Sequence, residues 1–126
     1  MSKKILNSEK MPKAVGPYSL ATEINGIIFL SGQLPVDVNT GELEITDTKK
    51  ATKIIMNNIK TFVEEQGLTM KNILKATIFL TDMKEFPQVN EIYGSFFESD
   101  YPARECVQVA ALPKGVSVEI SAFIAR

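Results

Sequence analysis

The sequence predicts an α/β chain of the α+β kind: a single sheet, two helices packed on one of its faces, and the order β-β-α-β-α-β-β. Three observations predict it. Two stretches space their apolar residues at the helical period, and five others are β-branched or alternate in polarity. The strand-like stretches flank and separate the helical ones, as a layered sheet-and-helix domain requires. Each helical stretch has only one apolar stripe, so both cover the same sheet face and leave the other bare.

Taken in order, residues 1–17 are polar and broken by Pro12, Gly16 and Pro17, which reads as a short strand or arm followed by loop. Residues 18–23 and 27–33 are strand-like on either side of Asn25-Gly26, the strongest short hairpin signal. Residues 35–44 form a loop around Asn39-Thr40-Gly41. From about 47 to 66, Ala51, Ile54, Ile55, Ile59, Phe62 and Val63 make a helical stripe, with Thr46 or Asp47 as cap and Gly67 as terminator. Residues 74–81 are a third strand. A second helix near 85–99 buries Phe86, Val89, Tyr93, Phe96 and Phe97, and Pro87 fixes its first turn. Residues 102–112 and 116–120 then read as two strands joined by a short turn at Pro113-Lys114-Gly115.

The 126 residues fit one domain spanning 1–126, large enough to bury about two-thirds of the unfolded chain's surface. The chain is 44% hydrophobic, and its net charge of −1 gives no general attraction to nucleic acid or anionic membranes. No apolar run approaches the ~20 residues of a membrane span, and no signal-peptide apolar region follows Lys3 and Lys4. With no histidine and a single cysteine, an internal disulfide is excluded and a typical zinc or copper site lacks its usual ligands. The expected setting is the cytoplasm, with no metal and no cofactor.

The last two strands carry one charge each where apolar residues dominate. An unpaired buried charge costs roughly 3–5 kcal/mol, so Arg104 and Glu119 are candidate site residues. Alternation groups Arg104 with Cys106, Gln108 and Ala110, opposite the valine-rich side. The valines suit the helix layer, so Arg104 is expected on the face away from the helices. Its planar fork suits bidentate capture of a carboxylate or phosphate. Glu119 is likewise expected on the non-helix face, where it either pairs with a basic side chain or holds a water as general base or acid. If the two strands form a hairpin, five residues separate the charges along it, roughly 16 Å at ~3.3 Å per residue. They would then meet only across a subunit boundary, and a bare apolar sheet face is itself a reason to expect an oligomer.

Other candidates are less decided. Cys106 has no histidine to activate it and reads as a small residue whose backbone lines the site. Ser31-Gly32 offers a hydroxyl and open backbone at a strand end. Tyr18 is either a core-edge aromatic or a ring closing over a ligand. Asn90 interrupts the apolar side of the second helix and is expected to brace a loop.

Four motifs, Gly16-Pro17-Tyr18-Ser19, Ser31-Gly32-Gln33-Leu34-Pro35, Val89-Asn90-Glu91-Ile92-Tyr93 and Pro102-Ala103-Arg104 through Val118-Glu119-Ile120, resemble in register the Rid family. This is the YjgF or reactive-intermediate deaminase family, also labelled endoribonuclease L-PSP, and the RidA subgroup of 2-iminobutanoate/2-iminopropanoate deaminases is the nearest pattern. The resemblance implies a chorismate-mutase-like fold and a homotrimer with sites between subunits. It implies that Arg104 binds the carboxylate of a small 2-imino or 2-keto acid and that Glu119 positions the attacking water. Tyr18, Ser31, Gly32, Asn90 and Cys106 would line or close the pocket. Two other functions remain open: a small-carboxylate-binding regulatory or chaperone-like trimer, and a ribonuclease. The absence of histidine and a pI near 5.5 argue against the latter. Glu105 departs from the family pattern, which has a small residue after the arginine; alternation aims it at the opposite face from Arg104.

Overall fold

The computed structural model describes residues 2–126. Six strands form one mixed sheet: β1 (Lys4–Leu6), β2 (Ala21–Ile24), β3 (Ile27–Gln33), β4 (Ile73–Leu80), β5 (Ala103–Gln108) and β6 (Val118–Ala125). The helices are α1 (Thr48–Glu65) and α2 (Phe86–Gly94). The order across the sheet is β1-β2-β3-β6-β4-β5, and only β4 and β5 run parallel. The arm is thus a sixth, edge strand, paired to β2.

Local chemistry accounts for most boundaries. Asn25 and Gly26 have φ of 52° and 78°, the double positive φ of the tight turn that matches strand twist. Asp47 accepts from the Lys50 amide at 3.1 Å to start α1, and Gly67, at φ 75°, stops it. The helix buries Ala51, Ile55, Met56, Ile59, Phe62 and Val63 against α2 and the sheet. The second helix is shorter than its apolar pattern implied. Ser95 Oγ donates to the Ile92 carbonyl at 2.6 Å, competing for a helix acceptor just after Gly94, and Phe96 and Phe97 pack on the core from the following turn. The strand expected over 18–23 begins only at Ala21, which leaves Tyr18 in a bend.

The largest correction concerns the last two strands. They are not a hairpin: β4 lies between them. The reason is polarity. In β6, Val118, Ile120, Ala122 and Ile124 are each 3% exposed or less, so this strand belongs in the sheet interior between β3 and β4. In β5, Ala103-Arg104-Glu105-Cys106-Val107-Gln108 is exposed along nearly its whole length and suits an edge. Reaching a parallel edge position from β4 needs a crossover, which α2 supplies.

Both helices cover one face. The other face is open and partly apolar: Phe29, Leu74, Val107 and Phe123 are all exposed, and the Phe29 and Phe123 rings meet edge-on at 5.2 Å.

Candidate functional site

Arg104 sits on the edge strand, in register with Ala76 of β4. Registered neighbours share a face, and Ala76, Ile78 and Leu80 form the buried, helix-covered side of β4. Arg104 and Cys106 therefore face the helix side, not the open face expected from the valines. Alternation sorts residues into two faces but does not say which face is covered. On an edge strand the valine side need not be, and Val107 stays exposed.

The helix side gives Arg104 three neighbours, all from α2. Nη1 donates to Asn90 Oδ1 at 2.7 Å. The guanidinium carbon lies 5.4 Å from the Phe86 ring centroid and 5.2 Å from that of Tyr93. Residues 86, 90 and 93 lie on one helical stripe, so a single face of α2 holds the cation. Asn90 is exposed and braces Arg104 rather than a loop. A pocket of about 410 Å³ opens here, lined by Asn90, Tyr93, Gly94, Tyr101, Pro102 and Arg104.

Glu105 points to the opposite face, as alternation required. Thr77 Oγ1 donates to it at 2.7 Å and Lys75 Nζ lies 3.1 Å away. These hydrogen bonds, Thr77's foremost, hold its carboxyl below the usual value. Its charge is directed away from Arg104. Cys106, half-buried beside Ile78, has its thiol pushed up by burial, which the nearby Arg104 only partly opposes. It is a thiol rather than a thiolate, a poor nucleophile.

Glu119 lies in register with Phe79 on the open face of β6, as expected. It is half-buried, and burial pushes its pKa above the ordinary carboxylate value. Among the described residues it has no hydrogen-bond or ion-pair partner. Gly32 makes its position possible: a Cβ there would stand 2.8 Å from Glu119 Cδ and closer still to Oε2. The β3–β6 register shifts between Leu30 and Gln33, so the backbone at Ser31-Gly32 bulges beside the carboxylate. Ser31 Oγ donates to the Ser19 carbonyl at 2.7 Å, tying the strand to the segment that carries Tyr18. The Tyr18 ring is more than half exposed, and its amide donates to the Gly16 carbonyl at 2.8 Å.

The candidates thus fall into two groups: Arg104, Asn90 and Cys106 on the helix side of the edge, and Glu119, Gly32 and Ser31 on the other, with Tyr18 on the segment tied to Ser31. Their reference positions on β4, Ala76 and Phe79, are three residues apart, and two strand spacings separate β5 from β6. That places the two Cα atoms about 14 Å apart, with side chains on opposite faces. Arg104 and Glu119 do not meet within this chain.

Sequence reasoning treated Phe86 and Tyr93 as core alone. The available signal was the polar Asn90 set between two aromatics on one stripe. Tyr93 is 3% exposed, and its hydroxyl has no hydrogen-bond partner. Among the described residues no group of three or more Cys, Asp or Glu side chains could hold a metal, and no helix is long and apolar enough to cross a membrane.

Comparison with known proteins adds the following. A family model described as Endoribonuclease L-PSP matches residues 8–126. A RutC family protein of Pyrococcus abyssi is 41% identical over 123 residues, covering 98% of this chain and 97% of the relative. The Escherichia coli protein named "Putative reactive intermediate deaminase TdcF" is 40% identical over 127 residues, covering 98% of each. Its crystal structure with bound serine superposes with a TM-score of 0.91 over 98% of both chains. A Rid-family protein of Yersinia pestis, YyfA, described as of unknown function, reaches 0.95 at 40% identity, covering 99% of this chain and all of that one.

Proposed function

The chain belongs to the Rid family, the family of the Endoribonuclease L-PSP model, and from that premise we propose that it is a cytoplasmic imine deaminase. It hydrolyses 2-iminobutanoate, 2-iminopropanoate and similar 2-imino acids to 2-keto acids and ammonia. In this reading it works as a homotrimer that removes reactive intermediates. Each site joins Arg104, Asn90 and the backbone at Cys106 of one subunit to Glu119, Gly32, Ser31 and Tyr18 of its neighbour.

The observation that carries the proposal is the Glu119 carboxylate: half-buried, raised by burial, without a partner, and seated against Gly32 on the uncovered sheet face. A carboxylate so placed is short of hydrogen-bond donors and suits a held water. The exposed Phe29, Leu74, Val107 and Phe123 on the same face form the surface a neighbouring subunit would cover. A lone cysteine fits a reducing compartment.

The chemistry needs little more than orientation. A protonated 2-imino acid is already electrophilic at C2. Arg104 takes its carboxylate, and Glu119 accepts a proton from the water as the oxygen bonds to C2. That proton passes to the nitrogen, the C–N bond breaks, and ammonia leaves as Glu119 takes the remaining hydroxyl proton and the carbonyl forms. The serine bound to TdcF, a small molecule with a carboxylate, is the kind of ligand such a site would take. A ribonuclease, the activity in the family model's description, fits less well, because the chain lacks histidine and its net charge is −1.

The test couples a threonine dehydratase to a semicarbazide trap. The wild type should suppress semicarbazone formation and Arg104→Ala should not. A wild type without effect would refute deamination and leave a carboxylate-binding module.

A further inference from the structure

We propose that Phe86 and Tyr93 are positioning residues for Arg104, an aromatic clamp that orients the guanidinium before substrate arrives. The proposal deepens the reading of Arg104 as the carboxylate-binding group and rests on it.

Three observations lead there. The two ring centroids lie 5.4 and 5.2 Å from the guanidinium carbon, within the range in which a ring face attracts a cation. Nη1 is committed to Asn90 Oδ1, and among the described residues Nε and Nη2 have no acceptor. Those two N–H groups form the edge that takes a carboxylate with two parallel hydrogen bonds. An arginine is long and flexible, and ordering it on binding weakens affinity. With one nitrogen tied and two rings beside it, part of that ordering precedes binding.

The rings are themselves supported. Tyr93 packs against Phe97 with tilted rings at 5.0 Å, and Phe97 meets Tyr101 edge-on at 6.3 Å. The Tyr93 hydroxyl is buried with no partner, so the ring rather than the oxygen is what Arg104 uses. Burial raises the phenol pKa and keeps the ring neutral, although Arg104 pulls the other way. A phenyl ring should therefore substitute for the phenol, and an aliphatic group of similar bulk should not.

The experiment compares Tyr93→Leu, Tyr93→Phe and Phe86→Leu with wild type by kinetics and by arginine Nε–H NMR. The chain has only two arginines, Arg104 and Arg126, so the spectrum is simple to assign. Leucine at either position should raise KM about tenfold with kcat within about twofold, and should move the Arg104 resonance but not that of Arg126. Tyr93→Phe should rescue both. Titration with 2-oxobutanoate reads Arg104 without turnover, and Tyr93→Leu should weaken it about tenfold. An Arg104 resonance unmoved in a folded Tyr93→Leu, or equal losses in Tyr93→Phe and Tyr93→Leu, would overturn the clamp. Failure of imine hydrolysis in the wild type defeats the deaminase reading alone, since the NMR arm still decides the clamp.

Discussion

The edge of the sheet around Arg104 and its interior around Glu119 treat a charge in opposite ways. At the edge, the cation is exposed and furnished with an acceptor and two aromatic rings. In the interior, the anion is half-buried against Gly32 with no hydrogen-bond or ion-pair partner among the described residues. An equipped cation and an unequipped anion on opposite faces of one sheet are not a broken salt bridge. In the proposed reading they are two parts of different kinds, a ligand grip and a water holder, each incomplete alone.

That contrast predicts unequal responses. Glu119→Gln should have the largest effect, lowering kcat by about 10²–10⁴ while the fold survives, as loss of a general base does. The pH profile follows from the direction of its shift. Activity should rise with pH as Glu119 ionises, with its midpoint above the ordinary carboxylate value, and kcat/KM against pH checks this. Arg104→Ala should cost about 100-fold in kcat/KM, mostly through KM, and Arg104→Lys should rescue poorly because an ammonium lacks the planar fork.

Gly32→Ala separates packing from placement. The new methyl meets the end of a flexible side chain, so the melting temperature should barely change while kcat falls about tenfold as the carboxylate is displaced. An equal loss in a Glu119→Gln background would show that the methyl acts elsewhere.

Two carboxylates provide a smaller test by stability. The amides of Thr46 and Asp47 hold Glu44 down to about 2. The folded state thus binds its proton less readily than the unfolded chain. Its contribution is complete above the ordinary value of 4.5 and is lost as pH falls toward about 2. Glu119, raised by burial, runs the other way: stability declines as pH climbs from the ordinary value through the raised one. Thermal melts of Glu44→Gln should flatten the acid limb, and melts of Glu119→Gln should remove the decline above it. The smallest effect belongs to Glu105→Ala, within about twofold in kcat/KM, because Thr77 and Lys75 hold that carboxylate on the opposite face from Arg104.

What the sequence made legible follows the range of the forces involved. The 25–26 turn, both ends of the first helix and the third strand rest on local dihedrals, caps and periodicity, and they lie within about a residue of where expected. The pairing of the last two strands rests on which strand is buried, a property of the whole sheet. Reading residues 102–120 as a hairpin put Arg104 and Glu119 on one face of adjacent strands, well apart along them, whereas β4 intervenes and the faces differ. Their separation survives, for a different reason. Tyr93 was legible as a core aromatic because its spacing is local. Its contact with Arg104 was not, because it depends on α2 crossing back over the parallel edge strand.

The central claim is that the two halves come from different subunits. Mixing Arg104→Ala with Glu119→Gln, each nearly inactive alone, by co-expression or joint refolding tests it most directly. With random assembly about a quarter of inter-subunit sites would pair an intact Arg104 with an intact Glu119, so about a quarter of wild-type activity should return. Mixed oligomers that stay inactive would place both residues' work within one chain and contradict the account.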